Sequence, residues 1–122
     1  MANNKFGINS GVVHARRITP TISTITASST NALDVNCSKG EIFKVTPTGS
    51  CNVNASMISA NVGQRVTLIV LTSGTNSYVL TFNTNFLSTG TLTTGASSAK
   101  TFVVDFVSNG TTLIEVSRTT AM

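Results

Sequence analysis

The sequence predicts an all-β protein, a sandwich or barrel of about eight strands, on the strength of its composition and its hydrophobic pattern. Thr, Ser and Asn together make 48 of the 122 residues (21 Thr, 15 Ser and 12 Asn). Thr is β-branched and favours strands, whereas Ser and Asn compete with helical hydrogen bonds and favour turns. With 40% hydrophobic residues, the chain also has enough apolar surface to fold around a core. These proportions exclude a helical bundle and a disordered chain.

The length of the chain allows one domain with one hydrophobic core. Residues 1–17 show no sustained hydrophobic period and are predicted to form an N-terminal basic arm, and residues 18–122 are predicted to form the β-sandwich domain. The arm lacks the apolar stretch of a secretory signal, and no segment approaches the roughly 20 apolar residues of a membrane span. We therefore expect synthesis in a cytoplasm and no membrane partner.

From Ile18 onward, short segments rich in Val, Ile, Thr, Leu and Phe are separated by Gly, Asn, Ser and Pro, which is the pattern of successive strands and turns. Strict alternation supports several of these segments. Leu33 and Val35, for example, fall on one face of a strand and Asp34 on the other. The predicted strands are Ile18–Ala27, Ala32–Cys37, Glu41–Thr46, Cys51–Ala55, Arg65–Thr72, Ser77–Asn83, Lys100–Ser108 and Thr111–Thr119.

The strongest turn signal is Asn109-Gly110, between the last two predicted strands. Asn and Gly tolerate the positive φ that a two-residue type I′ turn requires. The sequence therefore predicts a tight antiparallel hairpin at the end of the chain.

Two predicted strands, Arg65–Thr72 and Lys100–Ser108, carry apolar residues on both faces. In a two-layer sandwich only one face of each sheet meets the core, so the second face needs a cover. That cover is another subunit, a partner surface, or part of the chain itself, either the Asn85–Ala99 loop or the N-terminal arm. We expect an oligomer. The predicted subunit contacts are Ile69, Leu71, Val103 and Val107.

The arm holds the one charge cluster of the sequence, formed by His14, Arg16 and Arg17, and the predicted docking residues are these three and Lys5. Arginine forks suit carboxylates and phosphates, so the cluster is a candidate for docking on an acidic surface. The alternative is a solubilising leader. The other cations are scattered and lack interleaved aromatic residues, so no nucleic-acid partner is expected.

The two cysteines, Cys37 and Cys51, are in phase with apolar neighbours and are predicted to be buried thiols in a reducing compartment. A bridge between them remains open if their strands are adjacent. Neither a CxxC pair nor a nearby histidine completes a tetrahedral set, so no metal is expected.

The acidic residues are too few and too scattered to predict a catalytic site. Carboxylate-based hydrolysis requires two acids that converge. Asp105 and Glu115, on either side of the predicted hairpin, are the pair that could lie near each other. We predict that the protein is not an enzyme and has no catalytic residues, no cofactor and no small-molecule substrate. The other two acids are Asp34 and Glu41.

Three stretches, Gly40–Asn54, Gly63–Phe82 and Phe102–Val116, together resemble the small β modules found on tailed-bacteriophage virions. The shared pattern is a strand, a Gly-Gln turn, an apolar strand, a Ser-Tyr strand, and an aromatic strand that enters an Asn-Gly hairpin. The resemblance covers roughly residues 40–118. Such modules occur as capsid decoration (cement) proteins and as head-fibre or tail-fibre domains.

The resemblance implies a jelly-roll-like antiparallel β-sandwich, usually trimeric, that lies on the capsid exterior of a virion and performs no chemistry. It identifies the chain as a decoration protein, made in the host cytoplasm, that binds the major capsid protein lattice and stabilises the phage head. The basic arm residues would then dock on the capsid. The alternative is a receptor-binding fibre-tip module that recognises a host cell-surface glycan through the Thr72–Ser77 and Asn85–Ala99 loops.

Overall fold

The structure is a computed structural model that describes residues 21–28 and 30–122. Over these residues it is nearly all-β, as predicted, with two sheets around one core and two short 3-10 turns at Cys37–Lys39 and Ser59–Asn61. Each of the eight predicted strands has a counterpart, although several are shorter than predicted. The strands are β1 (Ile22–Thr24), β2 (Ala32–Asn36), β3 (Ile42–Val45), β4 (Cys51–Ser56), β5 (Arg65–Leu71), β6 (Val79–Phe82), β7 (Phe86–Leu87), β8 (Leu92–Thr93), β9 (Thr101–Ser108) and β10 (Leu113–Arg118).

The two sheets are mixed, so the expectation of antiparallel sheets is wrong. One sheet has the order β1-β3-β5-β9-β10-β7 and the other the order β2-β4-β6-β8. From β1 to β6 the chain alternates between the sheets, and neighbouring strands within each sheet are parallel. A parallel pair needs a long crossover connection. Here each crossover is itself a strand of the opposite sheet.

A winding is one passage of the chain through a strand of each sheet. The register of the parallel strands shows that the first windings repeat every twenty residues. Ile22 lies opposite Ile42 in one sheet, and Ala32 lies opposite Asn52 in the other. The next winding is longer, since Asn52 lies opposite Thr81. The repeat keeps apolar positions of successive windings stacked on the inner side of each sheet.

The core lies between the two sheets and is built from the alternating positions that the sequence predicts. Leu33 and Val35 of β2 are buried while Asp34 between them is exposed. Phe43 and Leu68 of the six-stranded sheet face them and are at most 1% exposed. Burial of each such side chain contributes about 1.5–3 kcal/mol.

The last two strands form the predicted antiparallel hairpin, but its turn differs from the predicted type. Leu113 lies opposite Ser108, so the loop has four residues, 109–112, instead of two. The Asn109 carboxamide Oδ1 accepts hydrogen bonds from the backbone N–H groups of Thr111 (3.0 Å) and Thr112 (2.8 Å). Because the side chain satisfies these donors, the chain makes an Asx-type turn in which Gly110 alone has a positive φ, of 97°.

The segment Asn85–Ala99, predicted as a loop, contains the two short strands β7 and β8. β7 pairs in parallel with β10 at one edge of the six-stranded sheet, and β8 pairs with β6 at an edge of the other sheet. The segment therefore extends the edges of both sheets, which does not support the alternative that it covers an outer face.

Candidate interaction surface

The outer face of the six-stranded sheet carries the apolar residues that the sequence predicts as subunit contacts. In β5, Val66, Leu68 and Val70 point into the core and are at most 1% exposed. Ile69 and Leu71 alternate with them and therefore point outward. Both are half-buried among their strand neighbours.

Ile69 lies directly opposite Val103 in the antiparallel β5–β9 pair, and Lys44 lies opposite Ile69 on its other side. Leu71 lies opposite Thr101, at the next outward position. Residues paired in this way on one face of a sheet have Cβ atoms about 5 Å apart. This first apolar row, at the end of the sheet where β5 ends and β9 begins, consists of Ile69, Leu71 and Val103.

Val107 belongs to a second apolar row on the same face. It lies opposite Arg65 on β5 and opposite Ile114 on β10. Ile114 in turn lies opposite Leu87, which is 63% exposed. Neither Ile114 nor Leu87 is among the contacts predicted from the sequence. Ile114 alternates with the buried Leu113, which is the same two-sided signal that identified Ile69, whereas the two-residue strand β7 gives no such signal.

A polar band separates the two apolar rows. The Asp105 carboxylate accepts hydrogen bonds from the Thr67 hydroxyl (2.6 Å) and the Ser117 hydroxyl (3.3 Å). These three residues are paired across β5, β9 and β10. The carboxylate is thereby held on the outer face by its own neighbours.

Asp105 and Glu115 do not converge, so they are not a pair of acids at one site. A register shift between Glu115 and Ser117 leaves Val116 unpaired in β10. Glu115 lies opposite the buried Phe106, whereas Asp105 is on the outer face with Thr67. Because Phe106 and Asp105 are adjacent in β9 and point to opposite faces, the strand pairing directs the two carboxylates to different sides of the sheet.

Glu115 makes an ion pair with Arg118, and the Glu115 side chain is only 3% exposed. The guanidinium Nη2 lies 2.9 Å from Glu115 Oε1, and the Nη1 and Nη2 groups also donate to the carbonyls of Thr91 and Gly90. Thr89 donates to the carboxylate through both its backbone N–H and its hydroxyl. The pair thus fastens the β7–β8 connection to β10.

The pKa of Glu115 lies below its ordinary value. Burial alone raises the pKa of this carboxyl, but hydrogen bonds from Arg118 and Thr89 and the charge of Arg118 outweigh burial. The carboxylate is therefore ionised at neutral pH, and its role is to hold two segments together.

Cys37 and Cys51 are both buried free thiols, as predicted. Their strands are adjacent, but the register of β2 and β4 places Cys51 before Asn52 and Cys37 after Asn36, at opposite ends of the pair. Six positions along a strand span roughly 20 Å, far beyond the reach of a disulfide. Burial raises the pKa of both thiols, and the nearby Asp34 carboxylate raises that of Cys37 further.

The predicted docking residues Lys5, His14, Arg16 and Arg17, and the boundary between arm and domain, lie outside the described residues. Within residues 21–28 and 30–122, no three His, Cys, Asp or Glu side chains are grouped so that they could hold a metal ion. The same part of the chain contains no helix that is long and apolar enough to cross a membrane.

Comparison of the chain with protein-family models, with curated proteins and with solved structures found no match. The outer face of the six-stranded sheet combines two apolar rows, a polar band and the cations Lys44 and Arg65 beside them, and it is the candidate contact surface.

Proposed function

We propose that this chain is a structural protein of a bacteriophage head, a homotrimeric decoration protein that binds the capsid exterior and stabilises the capsomer lattice. The observation that carries the proposal is the apolar outer face of the six-stranded sheet, where Ile69 lies beside Val103 and Val107 beside Ile114. Contiguous outward apolar rows mark surfaces that meet other proteins. In closed oligomers, copies of one chain commonly provide that partner.

The chemistry of this face suits contact between copies. The apolar rows supply surface that is removed from water on association, and the polar band between them keeps its carboxylate hydrogen-bonded to Thr67 and Ser117. The two hydroxyl donors offset only part of the cost of burying this carboxylate, because an ionised group without a counter-ion opposes full burial. Asp105 is therefore expected at a hydrated part of the contact, with the apolar rows supplying the dry parts.

The basic arm is proposed as the contact with the capsid, through Lys5, His14, Arg16 and Arg17. A subunit that binds only the assembled lattice stabilises that lattice by mass action. Several weak arm contacts in one trimer would also bind together with higher avidity than one arm alone. The proposed partner is the major capsid protein lattice.

A relation to the jelly-roll modules of virions is also part of the proposal. The two-layer, nearly all-β body supports it at the level of architecture. A jelly roll consists of antiparallel Greek keys, whereas β1–β6 wind in parallel, so any relation lies in the two-layer form and the final hairpin.

The experiment compares capsid occupancy of three forms of the protein on empty heads of the phage that encodes it. The full chain is expected to bind, a chain without residues 1–17 to remain oligomeric but not bind, and Thr84→Lys, on an exposed turn, to bind like the full chain. Unchanged occupancy after the deletion would rule out the arm as the anchor. Binding of the full chain to bacterial cells but not to heads would favour the receptor-binding alternative.

A further inference from the structure

The outer face of the four-stranded sheet differs from that of the six-stranded sheet because it is polar. Its strands β2, β4 and β6 are parallel and in register, so outward side chains form cross-strand rows. One row contains Ala32, Asn52 and Thr81, and the next contains Asp34 and Asn54.

The two rows differ in how their polar groups are satisfied. In the second row, Asp34 accepts a hydrogen bond from Ser56, and Asn54 accepts one from Asn83. In the first row, the side chains of Asn52 and Thr81 make no hydrogen bond to any described residue, and both are exposed. The first row therefore has unused donors and acceptors.

These unused groups face a groove of about 290 Å³ across the beginning of β4 and β6. The groove is lined by Asn31, Asn52, Val79 and Thr81, among others, and no charged side chain of the described residues lines it. Its volume is close to the lower end of the range for small-molecule sites, about 300 Å³.

The rim of the groove is held in a defined conformation. Asn31 has φ 58°, in the left-handed region that few residues other than glycine adopt. Its backbone N–H donates to the Ser28 carbonyl (2.9 Å), and its carbonyl accepts from the Asn52 N–H (2.9 Å). Its exposed carboxamide also makes no hydrogen bond within the described residues, so a third unused polar group lies at a fixed position.

We propose that this groove is a binding site for a neutral saccharide. Carboxamides and hydroxyls both donate and accept hydrogen bonds, as sugar hydroxyls do, so Asn31, Asn52 and Thr81 match a ligand that carries several hydroxyls. The uncharged lining offers no counter-ion to an anionic or cationic ligand. Val79 supplies an apolar patch for the C–H groups of a sugar ring.

The position of the groove is compatible with the proposed oligomer, although the inference does not depend on it. The groove lies on the outer face of one sheet, and the proposed subunit contact lies on the outer face of the other. Packing of copies through the six-stranded sheet leaves the groove accessible to a ligand.

The test measures binding of the full chain to an array of neutral hexose and N-acetylhexosamine oligosaccharides, with sialylated and sulfated oligosaccharides on the same array. The tightest neutral binder is then titrated against the wild type, Asn52→Ala and the matched control Thr84→Ala, with amide NMR shifts as the readout. Neither side chain makes a hydrogen bond to a described residue, so both variants are expected to fold as the wild type does, which circular dichroism checks.

The expected result is selective binding of neutral oligosaccharides, with shifts at Asn52 and Thr81. Asn52→Ala should weaken binding at least tenfold, and Thr84→Ala should leave it unchanged. The proposal is overturned if no neutral oligosaccharide binds, if only charged ones bind, or if folded Asn52→Ala binds as tightly as the wild type. Oligomer mass and capsid occupancy are separate readouts, so failure here is distinguishable from failure of the proposed function.

Discussion

Arg118 and Glu115 lie three residues apart in β10, with Nη2 and Oε1 2.9 Å apart, and a bulge brings both side chains to the same side of the strand. Ordinary strand alternation would place residues at this spacing on opposite faces. The bulge at Val116 therefore creates the pair. The pair in turn fixes the β7–β8 connection, because Arg118 also donates to the carbonyls of Gly90 and Thr91.

We predict that Glu115→Ala destabilises the protein by about 2–4 kcal/mol, because it leaves the Arg118 charge and the Thr89 N–H without their acceptor in a mostly buried site. Chemical denaturation measures the free energy of unfolding. The matched control is Glu41→Ala, at an exposed residue without an ion pair in the described chain, which should change stability by less than about 0.5 kcal/mol. Equal effects of the two substitutions would contradict the role of the pair.

The pH dependence of stability should contain a contribution from Glu115. Folding lowers the pKa of this carboxyl. The stabilisation that the ionised carboxylate contributes is therefore complete at a pH above 4.5, the pKa in the unfolded chain, and is lost as the pH falls through the pKa in the folded protein. The free energy of unfolding of the wild type should therefore fall more steeply below about pH 4.5 than that of Glu115→Gln. Parallel curves for the two proteins from neutral to acid pH would show that Glu115 titrates normally.

The turn at Asn109 gives a test that separates the observed turn from the type I′ turn. In a type I′ turn, Asn109→Gly should be tolerated, because glycine adopts positive φ freely. In the observed turn, the same substitution removes the acceptor for the N–H groups of Thr111 and Thr112 and should cost about 1 kcal/mol. Asn109→Asp keeps that acceptor and should retain most of the stability. Thermal unfolding of the three proteins distinguishes the two turns.

The two cysteines should remain reduced and react slowly in the folded protein. Their opposite positions along β2 and β4 prevent a bridge, and burial raises the pKa of both thiols. We expect two thiols per chain by titration in denaturant, slow modification without denaturant, and no intramolecular disulfide after mild oxidation. A disulfide within the folded monomer, detected by mass spectrometry, would contradict the register.

The strands and their inward residues could be predicted from the sequence because alternation directly reports which side of a strand is buried. That period alone puts Leu33 and Val35 on the side opposite Asp34, and it identifies Ile69 and Val103 as residues on a second apolar face. Direction of pairing could not be obtained in this way, because a parallel and an antiparallel strand have the same alternation. The twenty-residue offset that aligns Leu33 with Val53 was a usable signal for the parallel winding, since apolar and polar positions coincide over the four residues from Leu33 to Asn36.

The candidate sites were predictable only in part. The outward apolar residues of β5 and β9 follow from two-sided alternation, but the saccharide groove depends on which strands are neighbours, and Asn31, Asn52 and Thr81 are far apart in sequence. The bulge at Val116 was equally hidden, because it results from how β10 pairs with β9 and leaves no pattern of its own.

The mass of the full chain in solution, measured by sedimentation equilibrium, tests most directly whether the outer face of the six-stranded sheet joins copies of the protein. We expect a trimer of the 12.7 kDa chain for the wild type and for the control Thr84→Lys. Ile69→Lys places a charge in the first apolar row, beside Val103. It should weaken association by about 2 kcal/mol or more, roughly thirtyfold, and so shift the mass toward 12.7 kDa. A wild-type protein that sediments as a monomer, or an Ile69→Lys variant that keeps the wild-type mass, would contradict the account.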